Sequence, residues 1–288
     1  MMPKTVRKLF LVVPMLLAGY LVVVFALADY MRSKPFVEKL GYVPSVNTMK
    51  VMSADHRETV GALLMLKVLM YYGGLVEKAN NELEMPVDYP AMSRTIDASL
   101  KLDPYNMDGY YFAQAILTWN VGQVALANMF LERGMEYRDW DWQLPYFVGF
   151  NYAYFLKDYG RAAKYYRRAA DLSGNNMFIN LAGRYMQRSG STEMAIVYLG
   201  NMARNSRDQG VKKSLLIRQS AFIRVLELEK ARDAFVKQRG VLPASLEILV
   251  REGFLRALPR DPYGGKFILQ SDGSISSTSG FSFSGVKK

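Results

Sequence analysis

The sequence predicts a mostly α-helical protein: a helical repeat array of the α-solenoid type, with a transmembrane helix before it and a small α+β module after it. A long uncharged run near the amino terminus predicts the membrane helix. Small and aromatic residues that recur at a regular interval predict the repeats. An Asp-Gly pair within a β-rich segment predicts a carboxyl-terminal hairpin. We expect a cytoplasmic stub and anchor at 1–30, a linker at 31–59, helical repeats at 60–206, and a long helix plus module with a flexible tail at 207–288.

The composition favours a packed protein without common catalytic groups. Half of the 288 residues are hydrophobic and 22% are charged, which is enough apolar surface for a core. The absence of cysteine excludes disulfides, thiol nucleophiles and cysteine-ligated metals. The single histidine, His56, is predicted to be a surface or capping residue. We therefore expect no enzyme activity, no metal site and no cofactor.

Leu9–Ala28 is a run of 20 residues without charge. A helix of this length spans about 30 Å of hydrocarbon. Lys4, Arg7 and Lys8 precede it, which favours a cytoplasmic amino terminus and a single-pass protein of the inner membrane, with the bulk of the chain periplasmic or extracytoplasmic. The alternative is a cleaved signal peptide, because Ala26-Leu27-Ala28 has the pattern of a cleavage site.

A second apolar stretch, Val60–Val76, contains Lys67 and the pair Gly73-Gly74. It falls short of the about 18 uninterrupted apolar residues that indicate a span. We expect it to be a buried helix of the folded part.

The repeat is clearest at 145–176, where Ala162, Tyr166 and Ala169 share one face of a second helix. Small residues there let the first helix of the pair approach closely. The same phase recurs from Ala162 to Ala195, an offset of 33, from Ala127 to Ala162, an offset of 35, and from Met92 to Ala127, again 35.

This pattern resembles the tetratricopeptide repeat, a helix-turn-helix unit of about 34 residues. The resemblance covers roughly 60–205 and is carried best by Tyr159, Ala162, Tyr166 and Ala169. The first copy departs from it, with Met92 in place of the small residue and an insertion at 77–89. The resemblance implies three to four stacked units whose first helices line a concave groove.

The family's register implies which side chains face this groove. Asn151 falls where family members that clamp a peptide carboxylate carry asparagine. Arg184 and Arg188 lie one helical turn apart, which suits an anionic group. The alternative is that aromatic residues at helical spacing belong to the core, which we favour for Phe112 and Phe147. The predicted partner-binding residues are Trp119, Asn120, Asn151, Tyr154, Phe155, Asn180, Arg184, Gln187 and Arg188.

The segment 157–218 contains 12 basic and four acidic residues, an excess of eight. Its tyrosines at 159, 165 and 166 occupy repeat-core positions, so they are not expected to stack on bases. We expect an acidic protein partner or anionic lipid head groups and no nucleic acid. The alternative is a positive surface that only aids solubility.

The carboxyl-terminal pattern changes to a long helix over Leu215–Arg239, ended by Gly240. A short helix at Ser245–Glu252 follows, then strands at Lys266–Gln270 and Ile275–Thr278.

About 60 residues here are similar to the periplasmic part of type II secretion major pseudopilins. Those subunits can hold calcium in this region, but Asp261 and Asp272 are too few oxygen ligands, so we interpret both as turn residues. The chain differs from a pilin subunit because its membrane run is separated from this module by the repeats. The matching residues are Gly240, Pro243, Leu246, Leu249, Gly253, Leu258, Pro259, Asp261, Pro262, Tyr263 and Gly264.

The sequence therefore predicts a membrane-anchored scaffold that binds one or more proteins of a bacterial envelope assembly, such as a secretion or pilus-type apparatus. One alternative is a lipid- or glycan-binding accessory protein of surface polymer export, with Trp119, Tyr154 and Phe155 against the ligand. A second is an envelope enzyme that uses an unrecognised pair of acids.

Overall fold

The computed structural model describes residues 4–33, 40–80 and 86–282, with side chains in the first helix described only at 13 and 15–30. The chain is mostly helical, as predicted. Residues 283–288, in the predicted flexible tail, and residues 81–85, in the insertion at 77–89, lie outside the described residues. The helices are α1 Lys4–Ser33, α2 Val46–Ser53, α3 Arg57–Asn80, α4 Tyr89–Leu102, α5 Met107–Ala115, α6 Val124–Tyr137, α7 Gln143–Tyr154, α8 Tyr159–Ser173, α9 Asn176–Arg188, α10 Thr192–Asn205, α11 Gln209–Arg239 and α12 Leu246–Arg251, and the strands are β1 Phe267–Leu269 and β2 Ile275–Ser277.

The predicted span Leu9–Ala28 lies inside α1. Most of the described side chains of α1 are exposed. Within the described residues, one helical stretch is long and apolar enough to cross a membrane by length and composition, and it is Val46–Asn80, which comprises α2 and α3. In α1 the corresponding apolar stretch with described side chains, Met15–Tyr30, is shorter.

The helix α3 covers the second apolar stretch, and the expectation that it is buried holds for only one face. Gly61, Met65, Val68, Tyr71 and Leu75 are buried on the side that packs against α4. The opposite side is exposed and mostly apolar, with Glu77 as a charged residue near its carboxyl-terminal end. The structure thus corrects the sequence interpretation, because periodicity alone does not separate a fully buried helix from one with two apolar faces.

Part of the predicted linker is folded. The helix α2 lies within 31–59, and its Met49 is buried with Ala98 and Leu102 of α4. The folded part of the chain after α1 therefore begins within the predicted linker.

Consecutive helices from α3 to α11 pack against one another. The residues that carry the sequence period, Met92, Ala127, Ala162 and Ala195, are each 0% exposed on α4, α6, α8 and α10. The helix faces that the sequence period predicted to pack are therefore the buried faces of these helices. The helix α5 continues into a π-helical turn at Ile116–Asn120.

The carboxyl-terminal module follows the prediction closely. The helix α11 begins earlier than expected, at Gln209, because the Asp208 carboxylate accepts a hydrogen bond from the Val211 amide at 3.0 Å. It ends at Gly240, whose φ of 75° is left-handed. The strands β1 and β2 form an antiparallel hairpin. One continuous hydrophobic core extends from Leu40 to Phe281, so the module and the helical array share it.

Candidate functional site

The structure separates the nine predicted groove residues into three groups. Four of them lie in or beside an exposed cluster of aromatic side chains. Arg184, Gln187 and Arg188 line a cleft between the helical array and the carboxyl-terminal module. Asn151 and Asn180 are held by contacts within the protein.

The aromatic patch consists of Trp119, Phe150, Tyr154 and Phe155. Trp119 comes from the π-helical turn after α5, and the other three come from the carboxyl-terminal end of α7. The Trp119 ring centroid lies 4.9 Å from that of Phe155 and 5.6 Å from that of Tyr154. Trp119 is 57% exposed and Tyr154 52% exposed, so the patch offers ring surface to a ligand.

Two neighbours add polar groups to the patch. Asn120 is exposed beside Trp119. The Lys157 ammonium lies 5.1 Å from the centroid of the Tyr154 ring. Phe150 was not among the predicted residues, although its position four residues before Tyr154 places both on one helix face, where their rings stack at 5.4 Å.

Asn151 does not line a groove. It is 0% exposed, and its side-chain amide donates a hydrogen bond to Asn128 Oδ1 at 2.8 Å and accepts one from Gln114 at 3.4 Å. The helix α7 packs between α6 and α8, so this position points into the array. The structure therefore corrects the predicted contact between Asn151 and a partner: its amide is part of the core.

The cleft encloses about 1010 Å³ between α9, the start of α10, α11 and the β hairpin. Arg184 and Arg188 are exposed on its wall. The Arg188 guanidinium lies 4.3 Å from the Tyr159 ring centroid and donates a hydrogen bond to the Tyr159 hydroxyl at 3.0 Å. Among the described residues, Arg184 forms no hydrogen bond or ion pair, so its guanidinium is available to a ligand.

Gln187 and Asn180 connect α9 to the carboxyl-terminal module. The buried Gln187 side chain donates to the Ile275 carbonyl at 3.3 Å. The Asn180 carbonyl accepts from Arg218 at 3.3 Å, and the Asn180 side chain donates to the Asn176 carbonyl at 2.9 Å. The part of the predicted groove at these two residues is thus covered by the chain's own module, which the sequence did not predict.

A carboxylate on the cleft wall was also not predicted. Glu229 accepts a hydrogen bond from the Thr192 hydroxyl at 3.0 Å. Burial raises the pKa of Glu229, and the hydrogen bond from Thr192 and the charge of Arg232 act against this rise. Thr192 lies 37 residues away along the chain, so no local pattern brings the two residues together.

The cleft is lined by equal numbers of positively and negatively charged side chains. Arg184 and Arg188 line the cleft together with the hairpin, and Lys230 forms an ion pair with Glu193 at 3.0 Å. A ligand in the cleft meets both positively and negatively charged side chains, which donate and accept hydrogen bonds. The cleft therefore favours polar ligand groups over apolar ones. The charged residues that line it are Arg184, Arg188, Lys230, Arg232, Glu193, Glu229, Asp233 and Asp272.

The two aspartates of the module have the turn contacts that the sequence analysis expected. The Asp261 carboxylate accepts from the Tyr263 amide at 2.9 Å and from the Ser279 hydroxyl at 2.6 Å. Asp272 accepts from the amide and hydroxyl of Ser274, and these hydrogen bonds lower its pKa. Among the residues that the structure describes, no three His, Asp or Glu side chains are grouped as metal ligands.

Of the tyrosines at 159, 165 and 166 in the basic segment, the last two have packing roles, whereas Tyr159 lines the cleft. Tyr166 is buried, and Tyr165 donates a hydrogen bond to Glu132 at 2.6 Å. Exposed cations of α8, including Lys164 and Arg167, lie on its outer face.

No family model matches the chain, and no curated protein matches it.

Proposed function

We propose that this chain is a membrane-anchored, tetratricopeptide-like scaffold that holds a protein partner of an envelope assembly. An acidic or carboxylate-bearing segment of the partner enters the cleft at Arg184 and Arg188. The observation that carries this proposal is the pair of exposed guanidinium groups one helical turn apart on the wall of a large cleft.

The contacts of the two arginines support different roles for them in binding a ligand. Contact with the Tyr159 ring and hydroxyl orients Arg188 before any ligand binds. Arg184 is one turn away and can complete a two-point contact with a carboxylate. The acids on the remaining cleft wall repel a ligand that carries only negative charge, so they favour a peptide with mixed polarity.

The aromatic patch is the second contact surface. Phe155 of the patch and Tyr159 of the cleft are four residues apart in the chain, on either side of the connection between α7 and α8. Exposed Trp and Tyr rings supply apolar contact at low entropic cost and are frequent binding hot spots. A partner that occupies both surfaces would be held by charge at one end and by ring contacts at the other.

The proposed location is the cytoplasmic membrane, with α1 as the anchor and the helical array outside the cytoplasm. The three basic residues before the apolar run, Lys4, Arg7 and Lys8, support this orientation. The similarity of the carboxyl-terminal module to pseudopilins supports a secretion or pilus-type assembly by analogy.

A second candidate function is glycan binding during surface polymer export. The neighbouring aromatic patch and mixed-charge cleft favour it, because sugars stack on aromatic rings and form hydrogen bonds with charged side chains. The two functions predict different co-purifying molecules.

The test is purification of the tagged full-length protein from its native membranes in mild detergent, beside an Arg184→Ala/Arg188→Ala variant. A matched control, Arg207→Ala/Lys213→Ala, removes the same charge from exposed positions outside the cleft. We expect a protein partner in near-stoichiometric amount with the wild type and the control, and at least a tenfold loss with the cleft variant.

Two results would contradict the proposal. Equal loss in both double variants would mean that bulk charge, and not the cleft, holds the partner. Co-purification of glycan alone, reduced by Trp119→Ala/Tyr154→Ala and not by the arginine variant, would support the second function.

A further inference from the structure

The outer face of α3 carries an exposed apolar stripe. Its large members are Leu63, Leu66, Leu69, Met70 and Val76, which we call the α3 stripe. Leu63 is 58% exposed and Met70 70% exposed, although both are large hydrophobic residues. At 1.5 Å per residue the stripe is about 20 Å long.

The stripe has apolar neighbours nearer the amino terminus. Val51 and Met52 at the end of α2 are more than three-quarters exposed. Tyr42, just before α2, is 85% exposed, and tyrosine is typical of membrane–water interfaces. Exposed large apolar side chains therefore occur along the chain from Tyr42 to Val76.

This surface lies at the first helix of the stacked array, where a soluble repeat protein needs a polar outer face. Contiguous exposed apolar surface of this kind marks a site of contact with a protein or a membrane. The helix α1 does not cover it, because the described side chains of α1 are themselves mostly exposed.

We infer that the α3 stripe lies in the interfacial layer of the lipid bilayer, with α3 parallel to the membrane plane. This rests on the proposal that α1 is the anchor. Only 13 peptide units connect Ser33 to Val46, which allows at most about 45 Å of extended chain. This connection keeps the start of α2 within about 45 Å of the end of α1, so the bilayer is an apolar phase within reach of α2 and α3.

Contacts on the buried face of α3 explain why it lies along the membrane and does not cross it. The Ser99 hydroxyl of α4 donates to the Gly61 carbonyl at 2.7 Å, so α4 packs tightly against α3. The helix α4 also carries Asp97, which forms ion pairs with Lys101 and, at 2.8 Å, with Arg133. A spanning α3 would take these charges into hydrocarbon, at several kcal/mol for each charge.

The chain lacks cysteine, so single-cysteine variants allow its depth in a membrane to be measured cleanly. The full-length protein is reconstituted in phosphatidylcholine vesicles with one fluorophore at Met70→Cys, Val22→Cys or Lys213→Cys. These positions report the α3 stripe, the anchor and an exposed site on α11. Quenching is measured with aqueous iodide and with lipids that carry nitroxides at shallow or deep acyl positions.

We expect the Met70 label to be quenched most strongly by the shallow nitroxide and at least fivefold less by iodide than the Lys213 label. A Met70 label as accessible to iodide as Lys213, with Val22 quenched by the deep nitroxide, would overturn the stripe inference and leave the anchor intact. A Met70 label protected from iodide but not quenched by lipid would also overturn it, because protein would then cover the stripe. A Val22 label open to iodide would overturn the anchor and with it this inference.

Discussion

Asn151 and Glu229 are both polar residues on helices, but their surroundings give them different roles. Asn151 is fully buried, and its amide is satisfied by Asn128 and Gln114. Glu229 lines the cleft and accepts a hydrogen bond from Thr192. A buried amide with partners stabilises the fold, whereas a desolvated carboxylate on an open wall makes stability depend on pH.

Because of Glu229, the free energy of unfolding of the protein should decrease as the pH rises. Burial raises the pKa of Glu229 in the folded state, so the native protein binds this proton more tightly than the unfolded chain. Its contribution to the free energy of unfolding is therefore fully present below the unfolded pKa of about 4.3 and is lost as the pH rises through the folded pKa. Glu229→Gln removes the titration and keeps an acceptor for Thr192.

We expect Glu229→Gln to gain stability relative to the wild type between about pH 4 and 7, as measured by urea unfolding at several pH values. Glu136→Gln, at an exposed site, is the control. A difference between wild type and Glu229→Gln that is the same at every pH would show that this carboxylate does not titrate differently on folding.

The helices pack through small residues at defined positions, and glycine is needed only at some of them. At Gly134 on α6, an added Cβ would lie 2.7 Å from the Tyr110 ring and 3.2 Å from Leu144. Tyr110 is fully buried and cannot move aside easily. At Gly73 on α3, a Cβ would meet no atom within 4 Å. The same substitution should therefore have opposite effects on these two helices.

Gly134→Ala should reduce the free energy of unfolding by about 1–3 kcal/mol, because it overpacks the contact between α5 and α6. Gly73→Ala should increase it by about 0.5–1 kcal/mol, because alanine has the higher helix propensity at an uncrowded position. Denaturant unfolding in detergent measures both. If Gly134→Ala were neutral, the close approach at Tyr110 would not be a constraint on the fold.

For the whole molecule, the carboxyl-terminal module is joined to the helical array by a shared core and by Arg218. This arginine of α11 donates to the Asn180 carbonyl of α9 at 3.3 Å and to the Phe281 carbonyl at 2.9 Å. Phe281 also packs against Phe222 of α11 with 5.2 Å between ring centroids. The cleft exists only while the hairpin stays docked against α9 and α11.

Arg218→Ala should loosen the module without unfolding the array. We expect faster amide hydrogen exchange over 263–281 and unchanged exchange in α4 and α6, measured by mass spectrometry. Arg224→Ala, on the same helix, removes an exposed arginine whose recorded ion pair is with Glu227 at 3.3 Å, and it should leave exchange at 263–281 unchanged. Equal protection of the hairpin in both variants would mean that the shared apolar core suffices to dock it.

The sequence by itself determined the local elements. The spacing of Ala127, Ala162 and Ala195 predicted which helix faces are buried, and Gly240 and the Asp272-Gly273 pair predicted where the long helix ends and the hairpin turns. These features depend on interactions between residues that are close in the chain, so they can be predicted from the sequence alone.

Only the tertiary structure decided what each exposed or polar side chain meets. It placed Asn151 in the core, brought Thr192 to Glu229, and left the outer face of α3 uncovered. It also set Gln187 against the hairpin, where the sequence had predicted an open groove. The physical reason is that burial and hydrogen bonding depend on segments that lie far apart in the chain. Helical periodicity shows which face of a helix is apolar, but it does not show which segment packs against that face.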